Sequence, residues 1–151
     1  MTSPRVSLPR QSVSRGPGAQ FAVVASTIMM GCAAPSVNDG IELPLAAAGD
    51  AARGREIFVS RDGGHCVLCH AVPGSATAGD VGPALAGVGA RLSPAQIRQR
   101  IADISRVNPA AAMPAFHRIE GLTRVAPQYA GKPVLEAQQV EDLVTWLGTL
   151  R

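Results

Sequence analysis

The pentapeptide Cys66-Val67-Leu68-Cys69-His70 constrains this chain more than any other stretch. Two cysteines separated by two residues, with a histidine directly after, is the arrangement that attaches a c-type haem covalently. The two thiols add to the two vinyl groups along one edge of the porphyrin, and the adjacent imidazole swings beneath it to bind iron. Two other chemistries use paired cysteines. A structural zinc site needs four ligands, and outside the pentapeptide the sequence from Ala33 onward has only His65 and His117 to add, with no further cysteine. A dithiol redox pair normally sits in a βαβ pattern, which this sequence lacks. The motif therefore calls for one covalently bound haem c, held by Cys66 and Cys69, with His70 as an axial ligand of the iron.

Composition points the same way. The 151 residues include 25 alanines and five aromatics, Phe21, Phe58, Phe116, Tyr129 and Trp146. An apolar fraction of 46% made largely of small side chains leaves little bulk to fill an interior, and a cofactor would supply it. The length suits one domain, and charged residues at 17% with so much apolar content exclude a disordered chain. No apolar run reaches the ~18 residues a membrane-spanning helix requires. Arg5, Arg10 and Arg15 lie in a first stretch that has no acid, and from Ala33 onward 11 basic residues face 11 acidic ones. With no net positive charge and few aromatics for base stacking, a nucleic-acid binder is excluded.

Residues 1–34 carry the three parts of a secretory signal: a basic stretch to Arg15, an apolar run from Phe21 to Met30, and small residues from Gly31. Export to the periplasm is the expectation. Cys32, directly after Gly31, reads either as the acceptor of a lipid tether or as a residue lost with the signal. Residues 35–49, rich in Ala, Pro, Asn and Gly, read as a flexible linker. The folded domain is expected over 50–151.

Three helices are legible there. Asp50 caps one running to Val59, with Gly54, Ile57 and Phe58 on one side. Ser93, Pro94 and Gln96 form a capping box with proline in the first turn, Leu92 staples onto Ile97, and Ile97, Ile101 and Ile104 make the buried stripe up to Asn108-Pro109. From Glu136 to Leu150, Val140, Leu143, Val144 and Leu147 follow the helical spacing, with Trp146 and Leu150 extending the face and no Ser, Thr or Asp at the start. No strand alternation is present. The expected class is all-α, with long loops around one haem.

Of four methionines, Met1, Met29 and Met30 fall in the signal, which leaves Met113. Pro109 and Pro114 stiffen its loop, and the 42 residues between His70 and Met113 carry the chain round to the opposite haem face at roughly 3.3 Å of reach per residue. Met113 is thus the candidate second axial ligand. The competing readings are a packing methionine, or ligation by His117 instead. His65 is expected near the surface beside the haem edge. In Gly82-Pro83-Ala84-Leu85 the Pro83 carbonyl is placed to accept the proton of the second His70 nitrogen, and an ordinary turn is the alternative. Gly74, Gly79, Gly87 and Gly89 read as turn residues. No nucleophile and base pair stands out, which argues against hydrolytic or covalent catalysis.

Gly54 and Phe58, the Cys66 to His70 motif, Gly82 to Leu85, Met113-Pro114 and a terminal helix with Trp146 together resemble class I cytochromes c. Gly54-Arg55-Glu56-Ile57-Phe58, Gly79 to Leu85, and Arg124-Val125-Ala126 through Tyr129-Ala130-Gly131-Lys132-Pro133-Val134-Leu135 into Val140-Glu141-Asp142-Leu143-Val144 look like the SoxX family, over roughly Asp50 to Arg151. That resemblance implies a class I cytochrome c fold and a monohaem subunit paired as a heterodimer with SoxA. The complex acts as an L-cysteine S-thiosulfotransferase, joining thiosulfate oxidatively to a cysteine of the SoxYZ carrier protein. It further implies that the catalytic centre lies in SoxA, so that no residue here is catalytic, and that electrons leave to a downstream cytochrome. The alternative is a free-standing periplasmic electron carrier.

Overall fold

Asp50 opens the first helix as a capping residue should: its backbone is extended and its carboxylate accepts from the Arg53 N–H at 2.9 Å. In the computed structural model, which describes residues 40–75 and 79–151, this helix α1 runs Ala51–Val59. Three more follow, α2 (Val88–Arg91), α3 (Pro94–Asp103) and α4 (Ala137–Thr149). Single 3₁₀ turns lie at Cys66–Leu68, Ile104–Arg106 and Pro127–Tyr129, and no strand occurs among the described residues. The all-α class with long loops is observed. The chain divides into Met1–Pro35 and Ser36–Arg151, and all that follows concerns the second unit. The expected secretory signal with Cys32, and residues 35–39 of the expected linker, lie outside the described residues.

Helices α1 and α4 cross closely because Gly54 has no side chain. A Cβ there would overlap the Asp142 carbonyl and come within 2.8 Å of the Trp146 Cβ. One turn on, Phe58 packs against Trp146 with ring centroids 4.9 Å apart and planes tilted by 54°. Val140, Leu143, Val144 and Leu147 are buried as their spacing requires, and Leu135, fully buried, joins them just ahead of α4. The start of α4 is not uncapped: Gln139 reaches back to accept the Glu136 N–H at 2.8 Å.

Helix α3 begins with the expected capping box but ends at Asp103, short of Asn108-Pro109. The Asp103 carboxylate takes the Ser105 N–H at 3.2 Å and the Ser105 hydroxyl at 2.6 Å, and this local bonding replaces the helical pattern. The short helix α2 was not legible as a helix, since four residues carry no periodicity.

The expected linker is corrected over its described part. The Ile41 N–H donates to the Ala95 carbonyl at 3.1 Å, Arg98 donates to the Ile41 carbonyl at 2.6 Å, and the Leu45 N–H donates to Glu141 Oε1 at 2.9 Å. Lack of periodicity was a poor sign of freedom here, because backbone groups of an irregular segment can be satisfied by side chains from elsewhere. Arg98 and Glu141, each 4% exposed, pair through two hydrogen bonds of 2.6 and 2.9 Å. Burial alone would raise the Glu141 carboxyl, and these bonds outweigh it and leave it lowered. Asp142 beside it accepts from Arg53 at 2.8 and 2.9 Å and from the Asp50 N–H at 2.8 Å, which pulls its pKa from 3.8 to about 2.

Candidate haem site

The 3₁₀ turn Cys66–Leu68 presents both thiols and the following imidazole to a single cavity of about 840 Å³. His70 is fixed from two sides. Its N–H donates to the Cys66 carbonyl at 2.9 Å, and its Nδ1 lies 2.8 Å from the Pro83 carbonyl oxygen. The imidazole therefore meets Pro83 as a carbonyl partner, which sets Nδ1 as the protonated nitrogen and leaves Nε2 to bind a metal. Met113 reaches the same cavity from 43 positions further along the chain. Its loop is shaped by Asn108, which donates its N–H to the Ile104 carbonyl at 2.8 Å and accepts the Ala110 N–H on its side chain at 3.1 Å. All five residues expected at the site, Cys66, Cys69, His70, Pro83 and Met113, line this one cavity.

His117 does not line it: its Nδ1 is 2.9 Å from the Leu135 carbonyl. His65 does line the cavity, exposed and with a positive φ of 51°.

Of the eleven buried apolar residues that form the core, eight, Phe58, Val88, Ile97, Ile101, Phe116, Leu135, Leu143 and Leu147, also line the cavity. The core is built around it. A large apolar group suits that space, and Cys66 and Cys69 sit at its wall. Arg91 and Arg100 also line the cavity, with no Asp or Glu among the lining residues, a distribution suited to the carboxylates of a haem. Burial pushes the Cys66 thiol up to about 11, the reverse of the lowered value a reactive dithiol needs. No cluster of three or more His, Cys, Asp or Glu able to hold a metal ion occurs among the described residues.

Two of the glycines read as turn residues do something else. Gly79 lies against the backbone of the motif, where a Cβ would overlap the Leu68 carbonyl, and its N–H donates to the Val67 carbonyl at 3.2 Å. Gly89 presses on Gly148, and its N–H donates to the Leu150 carbonyl at 2.9 Å. Gly82 is packed beneath the imidazole, its ideal Cβ position 2.7 Å from His70 Nδ1. A residue that sequence reasoning missed is Arg91, which donates to the Ala86 carbonyl at 2.5 Å and so braces the loop that carries Pro83. Its signal was only that a basic side chain follows the loop by a few residues.

Residues 49–126 match the family model described as cytochrome c oxidase, cbb3-type, subunit III. Among solved structures, the chain is similar to one in the crystal structure of SoxXA from P. pantotrophus. The two are 34% identical, the match covers 76% of this chain and 91% of that one, and the TM-score is 0.68. The chain belongs to the SoxX family of class I cytochromes c. No curated protein matches it. Membership makes the protein a haem-binding, electron-transferring cytochrome. No helix among the described residues is long and apolar enough to cross a membrane.

Proposed function

We propose that this chain is the electron-accepting subunit of a SoxAX-type L-cysteine S-thiosulfotransferase, holding one haem c through Cys66 and Cys69 with His70 and Met113 as the axial ligands. The observation that carries the reading is the meeting of His70, oriented by the Pro83 carbonyl, and Met113 at one apolar cavity, in a chain that aligns with nearly the whole length of a SoxXA chain. When bound, haem supplies one-electron iron chemistry at a potential that Met/His ligation raises.

The residues of the chain do the rest. Pro83 holds the His70 tautomer, Gly82 lets the backbone pack close beneath the imidazole, and Phe58, Phe116 and Leu135 supply apolar walls. If His70 and Met113 both hold the iron, this chain would leave no open ligand position for thiosulfate. Joining thiosulfate to a cysteine thiol forms one S–S bond and releases one proton and two electrons. The cysteine belongs to the SoxYZ carrier and the catalytic centre to SoxA. In this reading the protein works in the periplasm, delivered by residues 1–34, with Cys32 either a lipid tether or removed.

The test is thiosulfate-driven reduction of the purified cytochrome, followed optically, alone and then with SoxA and reduced SoxYZ. Reduction only in the full mixture supports the proposal. No reduction in that mixture, together with ready electron exchange with other cytochromes, would instead make it a free-standing carrier.

A further inference from the structure

Helix α3 stops at Asp103, and the loop bearing Met113 returns to that same point. Met113 lies ten residues after Asp103 and five before Arg118. The returning strand of the loop is bonded to the end of α3 by three backbone contacts: Phe116 to the Ile101 carbonyl, and His117 and Arg118 to the Ala102 carbonyl, each at 3.2 Å. All three are at the long end of the hydrogen-bond range. The short contact at this junction is ionic. Arg118 Nε lies 2.8 Å from Asp103 Oδ2 as an ion pair without an aligned N–H, and the carboxylate is 6% exposed. Asp103 is held in turn by the two bonds from Ser105, while Arg118 reaches the Glu120 carbonyl at 2.6 Å and the Ser105 hydroxyl at 3.4 Å. Arg106 also approaches the carboxylate, at 3.4 Å, but is 73% exposed and adds little.

We infer that the Asp103–Arg118 pair is a lock at the base of the Met113 loop, a positioning element that keeps the thioether over the cavity and sets how often the iron becomes accessible to another ligand. The inference rests on Met113 being the sixth ligand. Neither residue touches the cavity, so the pair acts through the loop. By holding the loop closed, the pair would favour electron transfer over binding of an outside ligand.

The experiment is imidazole binding to the ferric holoprotein, followed by stopped-flow, where the saturating rate reports loop opening. In Asp103→Asn and in Arg118→Gln the saturating rate should rise about tenfold, as for the loss of an ion pair buried on its carboxylate side and partly exposed on its guanidinium side. Arg118→Lys should fall between these and the parent, and Arg106→Gln should match the parent. A merely structural pair would lower the denaturation midpoint and leave the saturating rate where it was, which overturns the inference. Should Asp103→Asn fail to fold, Arg118→Gln decides alone. Met113→Ala separates the two ideas. If it binds imidazole without the limiting phase while the lock variants behave as the parent, the lock is wrong and the ligand is right. If Met113→Ala and the parent bind imidazole alike, the ligand assignment itself fails.

Discussion

Replacing Glu141 by leucine tests whether the buried ion pair organises the start of the domain. The substitution keeps side-chain volume, so the cost is electrostatic. It would leave the Arg98 guanidinium, 5% exposed, without either of its carboxylate bonds, and the Leu45 N–H without its acceptor. Breaking a buried pair by removing one partner costs about 3–5 kcal/mol. For a domain of this size that lowers the melting temperature by about 12–20 °C, at ~4 °C per kcal/mol. Arg98→Met should cost a similar amount by stranding the carboxylate.

The double variant, Arg98→Met with Glu141→Leu, should be less damaged than either single. It carries no buried charge and loses only the bonds to the Ile41 carbonyl and the Leu45 N–H, at about 1 kcal/mol each. Guanidinium denaturation of the four holoproteins, followed by circular dichroism, measures the cycle. A double variant whose loss equals the sum of the singles would refute the reasoning, since that result means Arg98 and Glu141 stabilise independently.

Gly82→Ala should push a methyl into the His70 ring and disturb the Pro83 bond, costing about 1–3 kcal/mol and reducing the yield of covalently haem-stained protein. Met113→Ala should lower the reduction potential by more than about 100 mV, given that axial ligation spans about 0.8 V among haem proteins, and an unchanged potentiometric titration would remove Met113 from the iron. Asp142, lowered from 3.8 to about 2 by Arg53, adds stability that is fully present above about pH 4 and is lost as the pH falls toward 2. Denaturation midpoints across that range should therefore decline, and Asp142→Asn should flatten the decline.

The candidate haem-attachment cysteines, the histidine and the second-ligand candidate, all of which line the cavity, were legible because each is a local or countable fact: a fixed spacing, a following proline, one methionine left outside the expected signal. The three longer helices were legible because burial of one face imprints a period on the sequence. Other features had no such imprint. Residues 40–49 are aperiodic, so their attachment to Ala95, Arg98 and Glu141 was invisible. Gly79 and Gly89 looked like turn residues because a close backbone approach is defined by what lies opposite, and no residue announces its own neighbour.

The sequence by itself determined the cofactor chemistry, the helical class and the family, since these depend on residue type and spacing along the chain. The tertiary structure alone decided that His117 bonds Leu135 and stays out of the cavity, that Glu141 and Asp142 turn inward to hold the segment before α1, and that Asp103 meets Arg118 under the Met113 loop. Those outcomes depend on pairings between residues distant in sequence, where the gain from satisfying a buried charge or carbonyl is set by the partner's position in space.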